Sequence, residues 1–295
     1  MMLLRSCPLL VLAWCVTACG NGTDESKVKD GSSSGATTGN PPPGQPGTLD
    51  FGGSTGTGGG TGTGADSNGD GNCQPNLTGR VRDFKAAEED GGHPDFETFA
   101  GSDASVGIVE EMLDANKKPV YKPNGPMVSQ YGQQTTSKER FDQWYRDVDS
   151  VNQAIPFTVP LVLGADGRTS TYDNGAFFPI DGQGFGNYKN FGHNFSFTFE
   201  LHTEFTYEGK EEFKFTGDDD LWVFVNGHLG IDLGGLHPER SRTIKLDEKA
   251  AAFGLQIGKT YPLDLFHAER HTNASHFRVE TTIAFNCGDP IIIPR

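Results

Sequence analysis

The sequence predicts an all-β fold, an antiparallel β-sandwich or jelly-roll barrel with one or two short helices. Apolar residues alternate with other residues along several segments, which is the period of a half-buried strand. An Asn226-Gly227 pair between two of these segments is a strong hairpin signal, because both residues tolerate positive φ. Strand and helix patterns do not alternate, so a parallel α/β sheet is not expected.

The longest alternating segment runs from Phe195 to Tyr207 and places apolar or aromatic side chains at nearly every odd position. This pattern predicts one long or bent strand with a phenylalanine-rich face toward the core. Shorter segments with the same period lie at residues 213–215, 223–225, 229–233, 261–265 and 277–285.

One helix is predicted from Lys138 to Val148, with Thr136 and Glu139 as its capping box. Its apolar residues recur at the spacing of a helix face, at Phe141, Trp144, Tyr145 and Val148. A second short helix is predicted to start at Asp247.

Three regions follow one another along the chain. Residues 1–18 resemble a signal peptide, whose apolar run is too short to span a membrane, and they end before Cys19 in a segment that resembles a bacterial lipobox. Residues 19–72 contain many glycines and a single aromatic residue, so they predict a flexible tether that starts at a lipidated Cys19. Residues 73–295 hold the aromatic residues that a folded domain requires.

This organisation predicts an exported protein held by a lipid at the outer membrane or the cell surface. A formal net charge of −15 argues against nucleic acid as a partner, because both would be polyanions. Once the signal peptide is removed and Cys19 is lipidated, Cys73 and Cys287 remain, at the two edges of the domain. We expect them to form a disulfide in an oxidising compartment.

The sequence Asp218-Asp219-Asp220 places three carboxylates between two strand patterns. Adjacent carboxylates repel one another, so a partner that offsets the repulsion is expected. Ca²⁺ suits this role, since it binds six to eight oxygen atoms from carboxylates, amides and carbonyls.

Several ordered motifs resemble those of the fibro-slime domain, which is similar to the protective-antigen-type β-barrel of adhesins and glycosidase accessory domains. The resemblance extends from Leu77 to Cys287. It rests on RDF at 82–84, HPDFE at 93–97, FDQWY at 141–145, FFPIDG at 177–182, TGDDDLWVFVNG at 216–227, DLGG at 232–235 and AERH at 268–271.

The resemblance implies a calcium site at Asp218 and Asp219, because paired aspartates hold a sugar-coordinating Ca²⁺ in the calcium-binding members of that group. The chain has Asp220 where the group usually has a small residue. Further oxygen ligands are expected from Asp220, Asn226 and Asp232, although Asn226 and Asp232 also suit ordinary turn positions.

Candidate ligand-binding residues are Trp222, as a platform for a sugar ring, and the polar side chains of a glycine-rich loop, Asp181, Gln183 and Asn187. Each has an alternative, because Trp222 lies in a strand that is apolar on both faces and the loop residues suit a purely structural loop.

A non-enzymatic surface protein that binds glycan or extracellular matrix through a calcium-dependent sandwich is therefore expected. A carbohydrate-active or metal-dependent hydrolase is an alternative, since His267, Glu269 and His271 alternate along one strand and could ligate a metal. A scaffold of an envelope or slime complex is a third reading.

Overall fold

The computed structural model describes residues 76–122 and 134–285. Predictions for the signal peptide, for the tether and for Cys19, Cys73 and Cys287 lie outside these residues. The strands are β1 (Asn76–Asp83), β2 (Gln153–Pro160), β3 (Val162–Leu163), β4 (Ser170–Asn174), β5 (Phe197–Tyr207), β6 (Glu212–Gly217), β7 (Asp220–Val225), β8 (His228–Leu233), β9 (Arg240–Lys245), β10 (Lys259–Glu269) and β11 (Phe277–Thr281), and the helices are α1 (Lys138–Phe141) and α2 (Leu246–Phe253).

The strands form two antiparallel sheets, which confirms the predicted all-β sandwich. The six-stranded sheet has the order β2-β1-β5-β10-β7-β8, and the five-stranded sheet has the order β3-β4-β11-β6-β9. Phenylalanine and aliphatic side chains from both sheets fill the space between them, among them Phe199, Phe215 and Leu265. No helix in the described part of the chain is long and apolar enough to cross a membrane.

The long alternating segment forms β5, which pairs along its whole length with β10. The hairpin signal is also confirmed, because Asn226 and Gly227 both have positive φ, at 51° and 77°, and join β7 to β8. Helix α2 forms where the second helix was predicted.

A second layer, formed by residues 84–122 and 134–152, covers the outer face of the six-stranded sheet. Its aromatic side chains pack on outward-facing residues of the sheet, with Trp144 lying 6.4 Å from Trp222 between ring centroids. As a consequence, the polar residues Thr198, Glu200 and His202 in the first part of β5 are buried. The sandwich therefore has a second interior on that side.

The first predicted helix is wrong in extent, since α1 ends at Phe141 instead of Val148. The amide side chain of Asn152 donates to the carbonyl groups of Gln143 and Arg146. These carbonyls would otherwise accept helix hydrogen bonds, so the chain continues as turns. The cap is Ser137, because Thr136 hydrogen-bonds to Asp95 instead.

Candidate functional site

Two residues, Asp218 and Asp219, connect β6 in the five-stranded sheet to β7 in the six-stranded sheet. The chain crosses between the sheets within this short link, and Asp219 adopts a left-handed backbone conformation with φ of 53°. The link therefore projects two adjacent carboxylates at one end of the sandwich. Its position is fixed by the strands on both sides.

The two aspartates line a pocket of about 760 Å³. The rest of the lining comes from Gly175 and from three segments: a strip at residues 100–102, the loop at 236–239, and the loop at 271–276 that follows β10. The lining residues are Ala100, Gly101, Ser102, Gly175, Asp218, Asp219, Leu236, His237, Pro238, Glu239, His271, Thr272, Asn273, Ala274 and His276. They include no lysine, arginine, phenylalanine, tyrosine or tryptophan.

Each aspartate of the pair accepts one backbone hydrogen bond. Asp218 Oδ1 accepts from the amide of His276 at 2.6 Å, and Asp219 Oδ2 accepts from the amide of Arg270 at 2.8 Å. Among residues 76–122 and 134–285, neither carboxylate has a lysine or arginine nitrogen within ion-pair distance. Burial raises the pKa of Asp219 to about 6 and also raises the pKa of Asp218. Their charges are therefore poorly compensated.

A third carboxylate, Glu269 at the end of β10, lies behind this pair. Its side chain is fully buried and forms no ion pair with a lysine or arginine of the described residues; the hydroxyl of Ser275 and the amide of His271 lie near it without good hydrogen-bond geometry. Burial, together with repulsion from Asp219 and Asp218, outweighs these two donors and raises the pKa of Glu269 well above its usual value. A buried carboxylate that is so weakly compensated is costly, so this end of the sandwich favours either a proton or a cation.

The third aspartate of the acidic turn, Asp220, points away from the pocket. Its Oδ2 accepts from Arg270 Nε at 2.6 Å, and its Oδ1 accepts from the amide of Gly235 at 2.5 Å. Arg270 also donates to the carbonyl groups of Asp95 and Gln134 and lies over the ring of Trp144. Asp220 therefore anchors the loops around the pocket, and both of its oxygens are engaged in that role.

The structure does not bring all the predicted calcium ligands together. Asn226 lies at the far end of β7, roughly 20 Å along the strand from Asp219, where it donates to the carbonyl of Phe253. The carboxylate of Asp232 accepts from Trp222 Nε1 and from the amides of Gly107 and Gly234. Only Asp218 and Asp219 of the predicted set line the pocket. The described residues contain no cluster of three or more His, Cys, Asp or Glu side chains arranged to hold a metal.

Trp222 is not a platform for a sugar ring. Its side chain is fully buried beneath the second layer, where it contacts Phe141 and Trp144 and donates to Asp232. The alternative interpretation, a core residue, is the one that the structure supports.

The glycine-rich loop lies outside the pocket lining, and two of its three candidate residues stabilise the loop itself. Asp181 accepts from the amide of Asn194 and contacts His193, whereas Asn187 accepts from Gly182 and donates to Gly192. Gln183 is exposed. The polar groups of Asp181 and Asn187 are thus used within the loop.

The alternative histidine site is not assembled either. His267 is fully buried among phenylalanine rings, including Phe177 and Phe277, and burial lowers its pKa to about 3. His271 lines the pocket and contacts the carbonyl of Thr272. The two imidazoles therefore occupy different environments.

Sequence reasoning missed the strip at residues 100–102, His237, and the position of Glu269 behind the pair. The AERH motif contained the available signal, because consecutive residues at the end of a strand point to opposite faces, which separates Glu269 from Arg270. No local pattern marks the strip, because it is small and uncharged and its place is set by distant contacts.

A protein-family model described as the PA14 domain matches residues 164–291 of this chain. The match includes the acidic pair, the loop at 236–239 and the loop at 271–276, but it does not include the strip.

Two relatives come from Dictyostelium discoideum. Protein psiD is 41% identical over 189 residues, which cover 61% of this chain and 36% of that protein. Protein psiR is 38% identical over 209 residues, which cover 66% of this chain and 20% of that protein. The chain thus spans about a third of psiD and a fifth of psiR.

A solved structure, the PA14 sugar-binding domain from an RTX adhesin, is 13% identical to the chain. It aligns with 40% of this chain and 74% of that one, with a TM-score of 0.25. The chain is thus similar in sequence to a PA14 domain over residues 164–291, the region that supplies the acidic pair and two of the pocket's loops.

Proposed function

We propose that this protein binds a hydroxyl-rich glycan, free or in an extracellular matrix, in the pocket at Asp218 and Asp219, and that it performs no chemistry. The observation that carries the proposal is the buried acidic pair, which has no ion-pair partner among the described residues, in a pocket at one end of the sandwich. The PA14 match and the resemblance to the fibro-slime domain support the same function.

A calcium ion suits the acidic pair. The donors are hard carboxylate oxygens, and the buried carboxylate of Glu269, which forms no ion pair within the described residues, lies behind them. The carboxylates of Asp218 and Asp219 would hold the ion, which would offset their charge and bind sugar hydroxyls. Asp220 is excluded from this role by its pairing with Arg270.

The composition of the pocket favours uncharged sugars. The lining contains three carboxylates, from Asp218, Asp219 and Glu239, and no lysine or arginine. A sulfated or uronic sugar would bring an anion to these carboxylates without a lysine or arginine to pair with it. The backbone and the imidazoles instead offer hydrogen-bond partners for hydroxyl groups.

The position of the pocket agrees with a function at a surface. The acidic pair precedes β7, and antiparallel pairing places the end of β10, the start of β5 and the end of β1 at that same side. Asn76 therefore begins β1 at the opposite end. A lipid at Cys19 and a flexible tether over residues 19–72 would join the domain at an outer membrane or cell surface through the end opposite the pocket, which leaves the pocket free to bind.

The test compares the wild type with the D218N/D219N double variant on an array of neutral and acidic glycans, with calcium and with EDTA. We expect wild-type binding to neutral glycans that EDTA removes, and at least tenfold weaker binding by the variant. Calcium should also raise the melting temperature of the wild type, but not that of D218N/D219N. The matched control is E204Q/E248Q, which removes the same charge from exposed positions.

A wild-type signal that EDTA does not affect would contradict the calcium dependence, and no signal on any glycan would overturn the function. In that case a scaffold with protein partners becomes the better explanation. Release of reducing ends from a bound glycan would instead favour the hydrolase.

The disulfide between Cys73 and Cys287 is part of the proposal. Phe285 bridges to Phe205 of β5, and Asn76 begins the strand beside β5 on that same side. The two cysteines are three residues before Asn76 and two residues after Phe285, so the described chain ends that lead to them lie near one another. Mass spectrometry without reductant should find one bridge, whereas two free thiols would overturn this part.

A further inference from the structure

The strip, residues Ala100 to Ser102, forms a wall of the pocket although it lies outside the PA14 match. Gln134, also outside the match, connects it to the loop at 236–239. The Gln134 Nε2 atom donates to the carbonyl of Ala100 at 3.0 Å, and its Oε1 atom accepts from the amide of Leu236 at 2.6 Å. Gln134 is 1% exposed, so water cannot readily replace these two hydrogen bonds.

Close packing holds the strip in the same place. A Cβ atom on Gly101 would lie only 1.9 Å from the carbonyl oxygen of Leu236, so the two backbones approach each other as closely as glycine allows. At the other end of the strip, Arg240 donates to the carbonyl of Ser102 at 3.1 Å. The strip is therefore fixed along its length.

The same contacts connect the strip to the acidic turn. The carbonyl of Gln134 accepts from Arg270 Nη1 at 2.9 Å, and the Arg270 guanidinium pairs with Asp220. Asp220 is adjacent to Asp219, which lines the pocket. A short chain of buried hydrogen bonds thus sets the position of the wall relative to the acidic pair.

We infer that this strip, held by Gln134, is the specificity-determining wall of the glycan pocket, and that it limits which sugars reach the acidic pair. The inference rests on the proposed function. The acidic pair can supply a general attraction to hydroxyl groups, whereas the strip supplies shape. Its residues are small, so they leave room for a sugar ring beside Asp219, and a large side chain at exposed Ala100 would fill that room.

Two variants test the inference on the same array of neutral glycans in calcium. Ala100→Trp narrows the pocket, and its control is Ala251→Trp on exposed α2, at the other end of the sandwich. Gln134→Ala releases the strip, and its control is Asn152→Ala, which also removes buried hydrogen bonds from a side chain to the backbone. Calcium uptake and the melting temperature are measured for all four variants.

We expect Ala100→Trp to lose most binding and to change the order of preferred glycans, and Gln134→Ala to bind about tenfold more weakly. Calcium uptake should remain, and hydrogen exchange at the amide of Leu236 should increase in Gln134→Ala only. If both variants keep the wild-type affinity and order of preference, the wall has no role in selection, although glycan binding itself stands. If the wild type binds no glycan, both the proposed function and this inference fail.

Discussion

Two clusters of buried charged side chains in this protein differ in whether their carboxylates form ion pairs within the chain. Beneath the second layer, Glu200 accepts from Arg82 at 2.5 Å and from His202 at 2.7 Å, and it also pairs with Lys118. At the pocket, Asp218, Asp219 and Glu269 form no ion pair with a lysine or arginine of residues 76–122 and 134–285, and the charge of Arg270 only partly offsets that of Asp219. The carboxylate of the first cluster is thus paired with basic side chains of the same chain, whereas the carboxylates of the second cluster are not.

The difference separates a structural role from the binding role that we propose. A buried ion pair whose partners are all present fixes one arrangement of the chain. In this case it joins Lys118 of the second layer to Glu200 on the outer face of the six-stranded sheet. A buried set of like charges destabilises the fold until something binds there, so it is the place where an external cation gains most.

The largest loss of stability is expected from a substitution that removes the shared carboxylate of the Glu200 cluster. In Glu200→Gln, Arg82 and Lys118 lose their shared carboxylate while they stay buried, so we expect the free energy of unfolding to fall by about 3–5 kcal/mol. Denaturant unfolding at neutral pH measures the change. The control is Glu212→Gln, which removes an exposed ion pair with Lys245 and should change the stability by less than about 1 kcal/mol. Equal effects from the two variants would show that the buried cluster has no special role.

A second prediction concerns acid. Burial favours a raised pKa for Glu200, but the hydrogen bond from His202 and the charges of Arg82 and Lys118 outweigh it and lower the pKa to about 2. The unfolded chain would bind this proton near pH 4.5, so Glu200 stabilises the fold above that pH and its contribution is lost between about pH 4.5 and 2. Melting temperatures should fall over this range in the wild type and less steeply in Glu200→Gln. Parallel curves would contradict the assignment.

The smallest expected effect is a gain in stability. In EDTA at pH 7.5, Asp219→Asn removes a buried charge that lacks a cation, so we expect the free energy of unfolding to rise by about 1 kcal/mol. The amide oxygen can still accept from the amide of Arg270. The neighbouring change Asp220→Asn is the matched control and should destabilise the protein, because it breaks the pair with Arg270. A loss of stability in both variants would show that Asp219 is also compensated within the chain.

The sandwich could be predicted because strand periodicity and the Asn-Gly turn are local properties. The position of β5 follows directly from its alternation. By contrast, its polar face predicts an exposed surface by the usual rule, and only the packing of distant aromatic residues such as Trp144 makes that face an interior. The first predicted helix is too long for a similar reason, because the side chain of Asn152, which lies beyond that helix, donates to carbonyl groups within it.

The site was predicted in part. Three consecutive aspartates indicated an acidic site, and two of them line the pocket. The sequence could not distinguish Asp220 from its neighbours, because its partner Arg270 lies 50 residues further along the chain. Asn226 was included on sequence proximity, but an extended strand separates residues that are close in number. The alternation of His267, Glu269 and His271 indicated Glu269 only as a ligand of a histidine site, and not as a third carboxylate beside the acidic pair.

The position of β1 has a mechanical consequence. This first strand of the domain lies inside the six-stranded sheet, hydrogen-bonded to β2 over eight residue pairs and to β5 over four. A pull that enters through the preceding chain while a ligand is held at the opposite end acts along the strand axis. It must therefore shear many backbone hydrogen bonds at once instead of opening them one by one, and a domain loaded in this way would resist detachment under flow.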